Sequence, residues 1–195
     1  MVIEQDDAEP QCDALARLKL ALKKNRRDAH HRYFQLATVA ADGSPRNRTL
    51  VFRGFAPGDE RLLAITDTRS EKLAELSVAN TAEIAWYFTQ TREQFRLRVL
   101  VDCVTESSQE PVGLQLRNEV WRGLSDAARE QFFWLPPGQP LGTGTPPEAA
   151  DAAPDTFALL FLTPIRIDHL VLAKVQTRRL AQSTEGYWNE QSINP

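Results

Sequence analysis

Three arginines in one short segment are the first residues whose types suggest chemistry. Arg46, Arg48 and Arg53 lie within residues 46–55, where no acidic side chain occurs to pair with them. Guanidinium groups bind phosphate and carboxylate through charge-assisted, often paired hydrogen bonds. The segment therefore predicts a site for an anionic group. The alternative is that these are solvated surface cations, since arginine is common on protein surfaces.

A second group of polar residues follows about fifteen residues further on. The run Thr66-Asp67-Thr68-Arg69-Ser70-Glu71-Lys72 combines hydroxyl groups and cations with the predicted start of a helix. Exposed backbone N–H groups and the helix dipole both favour an anion at such a position. Together the two groups predict one phosphate site. Because Arg48 and Arg53 are five residues apart, a straight strand would direct them to opposite faces, so a bulge, a twist or a strand end is expected between them.

The elements that must position these residues are mostly short strands. Apolar periodicity predicts an amphipathic helix over 13–25, a helix that begins near 68–72, and two helices between Pro111 and Leu135. Asp42-Gly43 predicts a hairpin turn. Strands are expected over 33–41, 46–55, 61–66, 83–89, 94–105, 156–163, 166–173 and 176–182, and Trp188 is assigned to a polar tail.

This order of elements predicts a mainly β protein: a β-barrel of six or more antiparallel strands with peripheral α-helices. With 195 residues the chain is expected to form one domain, 1–195. A long loop is predicted over 136–154, where proline, glycine and alanine dominate. The aromatic residues of the preceding helical region are predicted to pack in a core or at a dimer contact; they are Trp121, Phe132, Phe133 and Trp134.

Composition excludes several classes of function. The formal net charge is only −3, so we expect neither nucleic acid nor an anionic membrane as a partner. The acidic start, Met1 to Glu9, is unlike a signal peptide, and a cytoplasmic location is expected. Cys12 and Cys103 are distant in sequence, and Cys103 is predicted to be a buried thiol. Adjacent His30 and His31 cannot aim both rings at one ion, so no metal site is predicted.

The two anion-binding motifs resemble those of one known family. Arg48-Thr49-Leu50-Val51-Phe52-Arg53 is similar to the Arg-x-x-Leu-x-Lys strand of pyridoxamine 5'-phosphate oxidases. Ile65-Thr66 followed by Arg69-Ser70-Glu71-Lys72 resembles the Tyr-Thr and Gly-Ser-Arg-Lys of the same family. Gln94 stands where the family has a glutamine, and the closing segment from Trp188 to Pro195 is similar in spacing to its C-terminus. The resemblance covers roughly Arg32 to Pro195.

The resemblance implies an FMN-binding split barrel that works as a homodimer, with FMN in two clefts at the subunit interface. It places the phosphate on Arg48, Arg53, Ser70 and Lys72, and the rest of the cofactor beside Thr49, Val51, Phe52, Ile65, Thr66, Gln94 and Arg178. Arg69 is added because it lies next to the phosphate cradle.

The family also implies a reaction. Lys174 and Gln176 stand where the oxidases have an arginine and a histidine that bind the substrate phosphate, and Leu170 replaces a tryptophan. The function expected is an FMN-dependent oxidoreductase in which the flavin accepts a hydride from a small molecule. No side chain is assigned as a catalytic acid or base. The alternatives are a flavin-binding module without turnover and a split barrel that holds a haem-type ligand.

Overall fold

The computed structural model describes residues 12–140, 142 and 152–195. The acidic segment Met1 to Glu9 and part of the predicted 136–154 loop lie outside the described residues. The helices are α1 (Asp13–Lys24), α2 (Glu71–Val78), α3 (Pro111–Arg122) and α4 (Asp126–Glu130). The strands are β1 (Tyr33–Val39), β2 (Pro45–Val51), β3 (Gly54–Phe55), β4 (Leu62–Asp67), β5 (Thr81–Phe88), β6 (Glu93–Val104), β7 (Phe157–Val171), β8 (Thr177–Thr184) and β9 (Tyr187–Ile193).

The strands form one antiparallel sheet in the order β2-β1-β5-β6-β7-β4-β3, and β8 and β9 extend it from the outer half of β7. Over the described residues the sheet curls around a core without closing on itself. The helices lie at its periphery. The predicted fold class, a mainly β split barrel with six or more antiparallel strands and peripheral helices, is confirmed.

Buried and exposed residues alternate along β5 and β6, and the buried ones form much of the barrel core. Ile84, Trp86 and Phe88 of β5 point inward, as do Phe95 and Leu97 of β6, and each is at most 1% exposed. Burying a large apolar side chain contributes about 1.5–3 kcal/mol. A second, smaller cluster joins α3 and the segment after α4 to β7. Most of the outward residues of β5 and β6 are polar, although Tyr87 and Leu100 are also exposed on this outer face of the sheet.

Two strands predicted separately, 156–163 and 166–173, are a single strand, β7. Pro164 lies between the two predicted segments, and proline cannot donate a ladder hydrogen bond. Pro164 lies between Leu162, the last partner of β4, and Arg166, the first partner of β8. On the β6 side the register shifts between Arg98 and Val99. The missing N–H therefore falls where the strand changes partners, at an irregularity that tolerates proline.

The predicted polar tail is also wrong, because it forms β9. Glu185 and Gly186 have φ values of 52° and 84°. Two consecutive residues with positive φ make a type I' turn, which suits the twist of a two-residue hairpin. Trp188 then packs against the barrel core. The polar sequence and the absence of Asn-Gly or Asp-Gly concealed this strand.

Cys12 and Cys103 are free, and burial raises the pKa of the Cys103 thiol to about 11. Cys103 packs against the barrel core as predicted, although it is only partly buried. Within the part of the chain that the structure describes, no helix has the length and apolar character needed to cross a bilayer.

Candidate functional site

A cleft of about 380 Å³ opens where the end of β2 meets β4 and the start of α2. One wall comes from β2, β4 and α2, and the other from the segment after α4. Its lining residues are Thr49, Leu50, Val51, Arg53, Ile65, Thr66, Asp67, Ser70, Lys72, Gln131, Phe132, Trp134, Leu135 and Pro137. Both anion-binding motifs of the sequence therefore contribute to the same cleft.

A strand end brings Arg53 to this cleft. β2 ends at Val51, and Gly54, which starts β3, has φ 121°. Only glycine adopts that backbone conformation without strain. The Arg53 N–H donates to the carbonyl of Leu63 on β4 at 2.8 Å. The break takes Arg53 out of the alternation of β2, which is one of the three solutions that the spacing of Arg48 and Arg53 required.

Three side chains around the N-terminus of α2 form a hydrogen-bonded cradle. Lys72 Nζ donates to Thr66 Oγ1 at 2.7 Å and to Ser70 Oγ at 2.9 Å. Ser70 is the N-cap residue of α2, but its hydroxyl donates to the carbonyl of Asp67 instead of capping the helix. An ammonium group and two hydroxyls beside a helix N-terminus are suited to the oxygens of a phosphate group.

The cations of the cleft are poorly solvated. Burial, followed by the neighbouring charge of Arg32, lowers the pKa of Arg53, and its buried Nε has no hydrogen-bond partner within the described residues. Burial, followed by the charge of Arg48, lowers the pKa of Lys72. Burial has removed part of the water that would stabilise these two positive charges, and a bound anion would stabilise them in its place. On this observation the residues fit a phosphate-bearing cofactor.

Among the described residues that line the cleft, Asp67 is the one carboxylate, and Arg69 neutralises it. The Arg69 guanidinium donates to Asp67 Oδ1 from Nε at 2.9 Å and to Oδ2 from NH2 at 2.6 Å. The hydrogen bonds that Arg69 donates to Asp67, together with the Asp67 charge, raise the pKa of Arg69 despite some burial. The Asp67 charge is thus paired, and Arg53 and Lys72 determine the sign of the field in the cleft.

Most of the predicted cofactor residues come together here, and five do not. The cleft is lined by Thr49, Val51, Arg53, Ile65, Thr66, Ser70 and Lys72. The residues outside its lining are Arg48, Phe52, Arg69, Gln94 and Arg178. Phe52 is 3% exposed and packs its ring on Phe55 and Trp86 in the core. Its sequence neighbours Val51 and Arg53 line the cleft, whereas Phe52 does not.

Arg48 corrects the expectation that these arginines have no acidic partner. Its NH2 lies 2.8 Å from Oε2 of Glu75 on α2, and its NH1 donates to the hydroxyl of Thr38. Burial raises the pKa of Glu75, but hydrogen bonds from Thr38 and Arg48 outweigh it and leave that pKa below its usual value. The acid is 27 residues away in sequence, so local composition did not reveal it. Arg48 still acts on Lys72 through its charge.

Gln94 and Arg178 belong to a different surface. Gln94 of β6 is paired with Leu170 of β7, and Leu170 is paired with Arg178 of β8. Residues directly opposite one another share a face of the sheet, so the three form one row across the strands. Arg178 donates to Asp168 from Nε at 2.9 Å and from NH2 at 2.6 Å. We call Gln94, Leu170 and Arg178 the outer row.

Lys174 and Gln176, the predicted substrate residues, lie in the exposed turn between β7 and β8. Neither lines the cleft within this chain. The turn follows directly from the outer row, because Leu170 precedes it and Arg178 comes after it.

The cleft wall after α4 was not predicted as a site. Gln131, Trp134, Leu135 and Pro137 line it, with Phe132 behind them. Phe132 packs against Trp121 as predicted, whereas Trp134 is 52% exposed. Trp134 therefore does not pack in the core of this chain, and its other predicted role, a dimer contact, stays a prediction. The sequence did not reveal this exposure, because Phe132, Phe133 and Trp134 are adjacent aromatic residues and all three are suited to helix packing.

A larger groove of about 530 Å³ lies between α3 and the β3–β4 region. Its cation, Arg61, is paired with Asp59 at 2.6 Å and lies over the Phe161 ring. Glu110 and Glu119 also line it. This groove is therefore unsuited to an anion, and size alone does not make it the functional site.

Comparison with known proteins identifies the family of this chain. Residues 15–105 match the family model described as pyridoxamine 5'-phosphate oxidase, FMN-binding domain. The chain is 32% identical over 184 residues to pyridoxine/pyridoxamine 5'-phosphate oxidase 2 of Arabidopsis thaliana, covering 90% of this chain and 93% of that protein. The chain belongs to the pyridoxamine 5'-phosphate oxidase-like FMN-binding family. Both cleft-forming motifs, from β2 and from β4–α2, fall within the matched residues 15–105.

Solved structures extend the comparison to the whole fold. A pyridoxamine 5'-phosphate oxidase-related, FMN-binding protein from Nostoc punctiforme is 38% identical, with a TM-score of 0.88, and covers 96% of this chain and 100% of its own. PhzG from Burkholderia lata has a TM-score of 0.75 at 17% identity, covering 100% of this chain and 98% of its own, which shows the fold alone. The family resemblance and the FMN prediction are confirmed.

Proposed function

We propose that this protein is an FMN-dependent oxidoreductase that acts on a small phosphorylated substrate. The observation that carries the proposal is the pair of desolvated cations, Arg53 and Lys72, on one cleft in a family of FMN-binding proteins. In the proposed complex these two residues hold the flavin phosphate together with Ser70 and Thr66. Thr49, Val51 and Ile65 line the ribityl chain and the ring.

The chemistry of the reaction belongs to the cofactor. When bound, FMN supplies a two-electron acceptor for a hydride. The chain's own residues bind the phosphate, orient the ring and exclude water through the wall formed by Phe132 and Trp134. No described side chain on the cleft needs to exchange a proton for this role.

We further infer that the working unit is a homodimer in which the outer row of one subunit completes the cleft of its partner. Gln94 and Arg178 match family positions at the flavin, yet they share a surface that lies apart from this chain's own cleft. A symmetric dimer reconciles these two facts, because an isologous interface places the same surface of each subunit against the other. In this arrangement Lys174 and Gln176 also approach the partner's cleft.

The first substrate to test is pyridoxamine 5'-phosphate or pyridoxine 5'-phosphate. The name of the Arabidopsis relative supports this choice. Lys174 and Gln176 would bind the substrate phosphate, although lysine lacks the paired donors of an arginine. We expect them to give weaker binding of the substrate than an arginine and a histidine would.

The decisive experiment is an absorption spectrum of the purified protein, followed by addition of pyridoxamine 5'-phosphate without oxygen. Flavin bands that bleach on addition would support both the cofactor and the substrate. If the bands persist with this compound but bleach with another small reductant, the proposed oxidoreductase activity stands and the proposed substrate is rejected. A protein that takes up no flavin, or that shows a haem absorption band, would refute the proposal.

A further inference from the structure

Trp134 differs from the other three tryptophans in its exposure. It is 52% exposed, whereas Trp86 and Trp121 are each 1% exposed and Trp188 packs against the barrel core. Trp86 and Trp121 have close aromatic neighbours, and within the described residues Trp134 has none. A large aromatic side chain left half exposed on a cleft wall is suited to contact a ligand.

The backbone that carries Trp134 is nevertheless held firmly. The Trp134 carbonyl accepts a hydrogen bond from Arg69 NH1 at 2.9 Å. The carbonyl of Phe132 accepts from the hydroxyl of Thr156 at 2.7 Å. The Phe132 ring packs on Phe157 with a centroid separation of 5.0 Å. The indole is therefore presented from a fixed backbone and not from a loose loop.

Arg69 connects this wall to the phosphate cradle. Its guanidinium is oriented by two hydrogen bonds to Asp67. Its NH1 donates to the Trp134 carbonyl at 2.9 Å, and its NH2 also donates to the Phe132 carbonyl at 3.4 Å. Arg69 directly precedes Ser70, a member of the cradle. One side chain thus fixes the relative positions of the cationic end of the cleft and its aromatic wall.

We propose that Trp134 covers the isoalloxazine ring of the flavin whose phosphate lies on the Lys72 cradle, and that Arg69 is a positioning residue for Trp134. This inference rests on the proposed function. A cationic cradle on one wall and an unpartnered indole on the other recognise a planar aromatic molecule that carries a phosphate. The apolar side chains of Leu135 and Pro137 extend the same wall.

The test compares FMN with riboflavin, which lacks the phosphate, in titrations of the apoprotein. Trp134→Ala is expected to weaken both ligands by the same factor, roughly three- to tenfold for the loss of one aromatic contact. Trp134→Phe should retain most of the affinity. Lys72→Ala should weaken FMN alone. Bound flavin should fluoresce more brightly in Trp134→Ala than in the wild type, whereas the matched control Trp188→Phe should not change it.

Arg69→Ala tests the positioning role. It should weaken riboflavin as Trp134→Ala does, and the double variant with Trp134→Ala should bind riboflavin no more weakly than Trp134→Ala alone. Two residues that act through one contact give such non-additive effects. Additive losses would show that Arg69 acts independently and would overturn its assignment. FMN should lose more affinity than riboflavin in Arg69→Ala, because the Asp67 carboxylate is then left unpaired on the cleft.

The outcomes separate this inference from the proposed function. If the wild type binds neither flavin, the proposed function fails. If the wild type binds FMN and Lys72→Ala weakens it, but Trp134→Ala changes neither affinity nor flavin fluorescence, only the inference fails. Loss of flavin that accompanies conversion of Trp134→Ala to a monomer in sizing experiments would also overturn it, because Trp134 would then be a dimer contact.

Discussion

Lys72 Nζ lies 2.7 Å from Thr66 Oγ1, across the turn that joins β4 to α2. This contact places the Lys72 ammonium group between the end of β4 and the start of α2. Burial lowers the pKa of Lys72, followed by the charge of Arg48. The ammonium therefore gains more from a bound anion than a fully solvated lysine would.

Lys72→Ala is expected to weaken FMN by about 10- to 100-fold, the effect of losing a hydrogen bond to a charged group. Riboflavin should bind almost as it does to the wild type, because it has no phosphate. The measurement is a fluorescence titration of the apoprotein with each ligand. Lys24→Ala, which removes an exposed lysine at the end of α1, is the matched control. Equal losses for both ligands would contradict the assignment of the cradle.

Arg48→Ala should discriminate between the same ligands less strongly than Lys72→Ala. Its guanidinium is held by Glu75 and Thr38 and reaches the cradle only through its charge. The variant should also be less stable, because it leaves the Glu75 carboxylate, 7% exposed, without its cation. A discrimination as large as that of Lys72→Ala would show that Arg48 turns from Glu75 to contact the phosphate.

The Arg48–Glu75 pair should make stability depend on acid. The pKa of Glu75 is lowered in the folded protein, since hydrogen bonds from Thr38 and Arg48 outweigh its burial. The unfolded state therefore binds a proton first as pH falls below about 4.5, and the stabilisation is lost as pH falls towards the folded pKa. Glu75→Gln should lower the free energy of unfolding by roughly 1–3 kcal/mol at neutral pH. On acidification the variant should lose less of that free energy than the wild type does.

Urea denaturation at pH 7 and pH 4 measures this difference. Glu71→Gln, an exposed acid on the same helix, is the control and should behave as the wild type. Identical losses in the wild type and Glu75→Gln on acidification would refute the prediction.

Contribution of the outer row to the partner's cleft predicts complementation between two defective subunits. Arg178→Ala and Lys72→Ala should each reduce FMN binding. In a mixed dimer, the cleft of the Arg178→Ala subunit keeps Lys72 and receives an intact Arg178 from the Lys72→Ala subunit. The other cleft lacks both side chains. Statistical mixing should therefore restore about a quarter of the clefts, given a twofold-symmetric dimer.

Co-expression of the two variants with different tags, followed by flavin quantification, tests this arrangement. The matched control mixes Lys72→Ala with Arg53→Ala, two residues of the same cleft wall, which should restore nothing. If the Arg178 mixture also restores nothing, the outer row does not act on the partner.

His169 is expected to destabilise the fold as pH falls below 6.5. Burial lowers its pKa, although Glu93 opposes that effect with a hydrogen bond at 2.8 Å. The ring is 2% exposed and stacks on Phe95 at 4.2 Å. Because the unfolded chain takes up the proton first, stability is complete above pH 6.5 and declines as pH falls to the lowered folded value.

Between pH 7.5 and pH 5.5 the wild type should lose on the order of 1 kcal/mol of its free energy of unfolding through His169, and His169→Phe should abolish that loss. The urea midpoint at the two values provides the measurement. His30→Phe is the control, since His30 is 80% exposed. An unchanged pH dependence in His169→Phe would assign the acid sensitivity to other groups.

The local pattern of residues determined most of the strands, the first hairpin and the phosphate cradle. Alternation along β5 and β6 requires only that one face meets a core, so period two predicts it. Thr66, Ser70 and Lys72 are close in sequence, and a strand followed by a helix start brings them together with little help from the rest of the fold. The glycine after Arg53 was the local sign of the strand end, but a continuous strand was predicted there.

Tertiary structure decided which distant residues meet. Glu75 pairs with Arg48 across 27 residues, and Arg69 holds the Trp134 backbone across 65 residues. The same assembly keeps Gln94 and Arg178 on a surface apart from the cleft, although the sequence motifs group them with it. Such contacts depend on strand order and on which faces pack together, and local periodicity carries neither. The sequence by itself determined which neighbouring residues form the cradle, and the fold decided which distant side chains surround it.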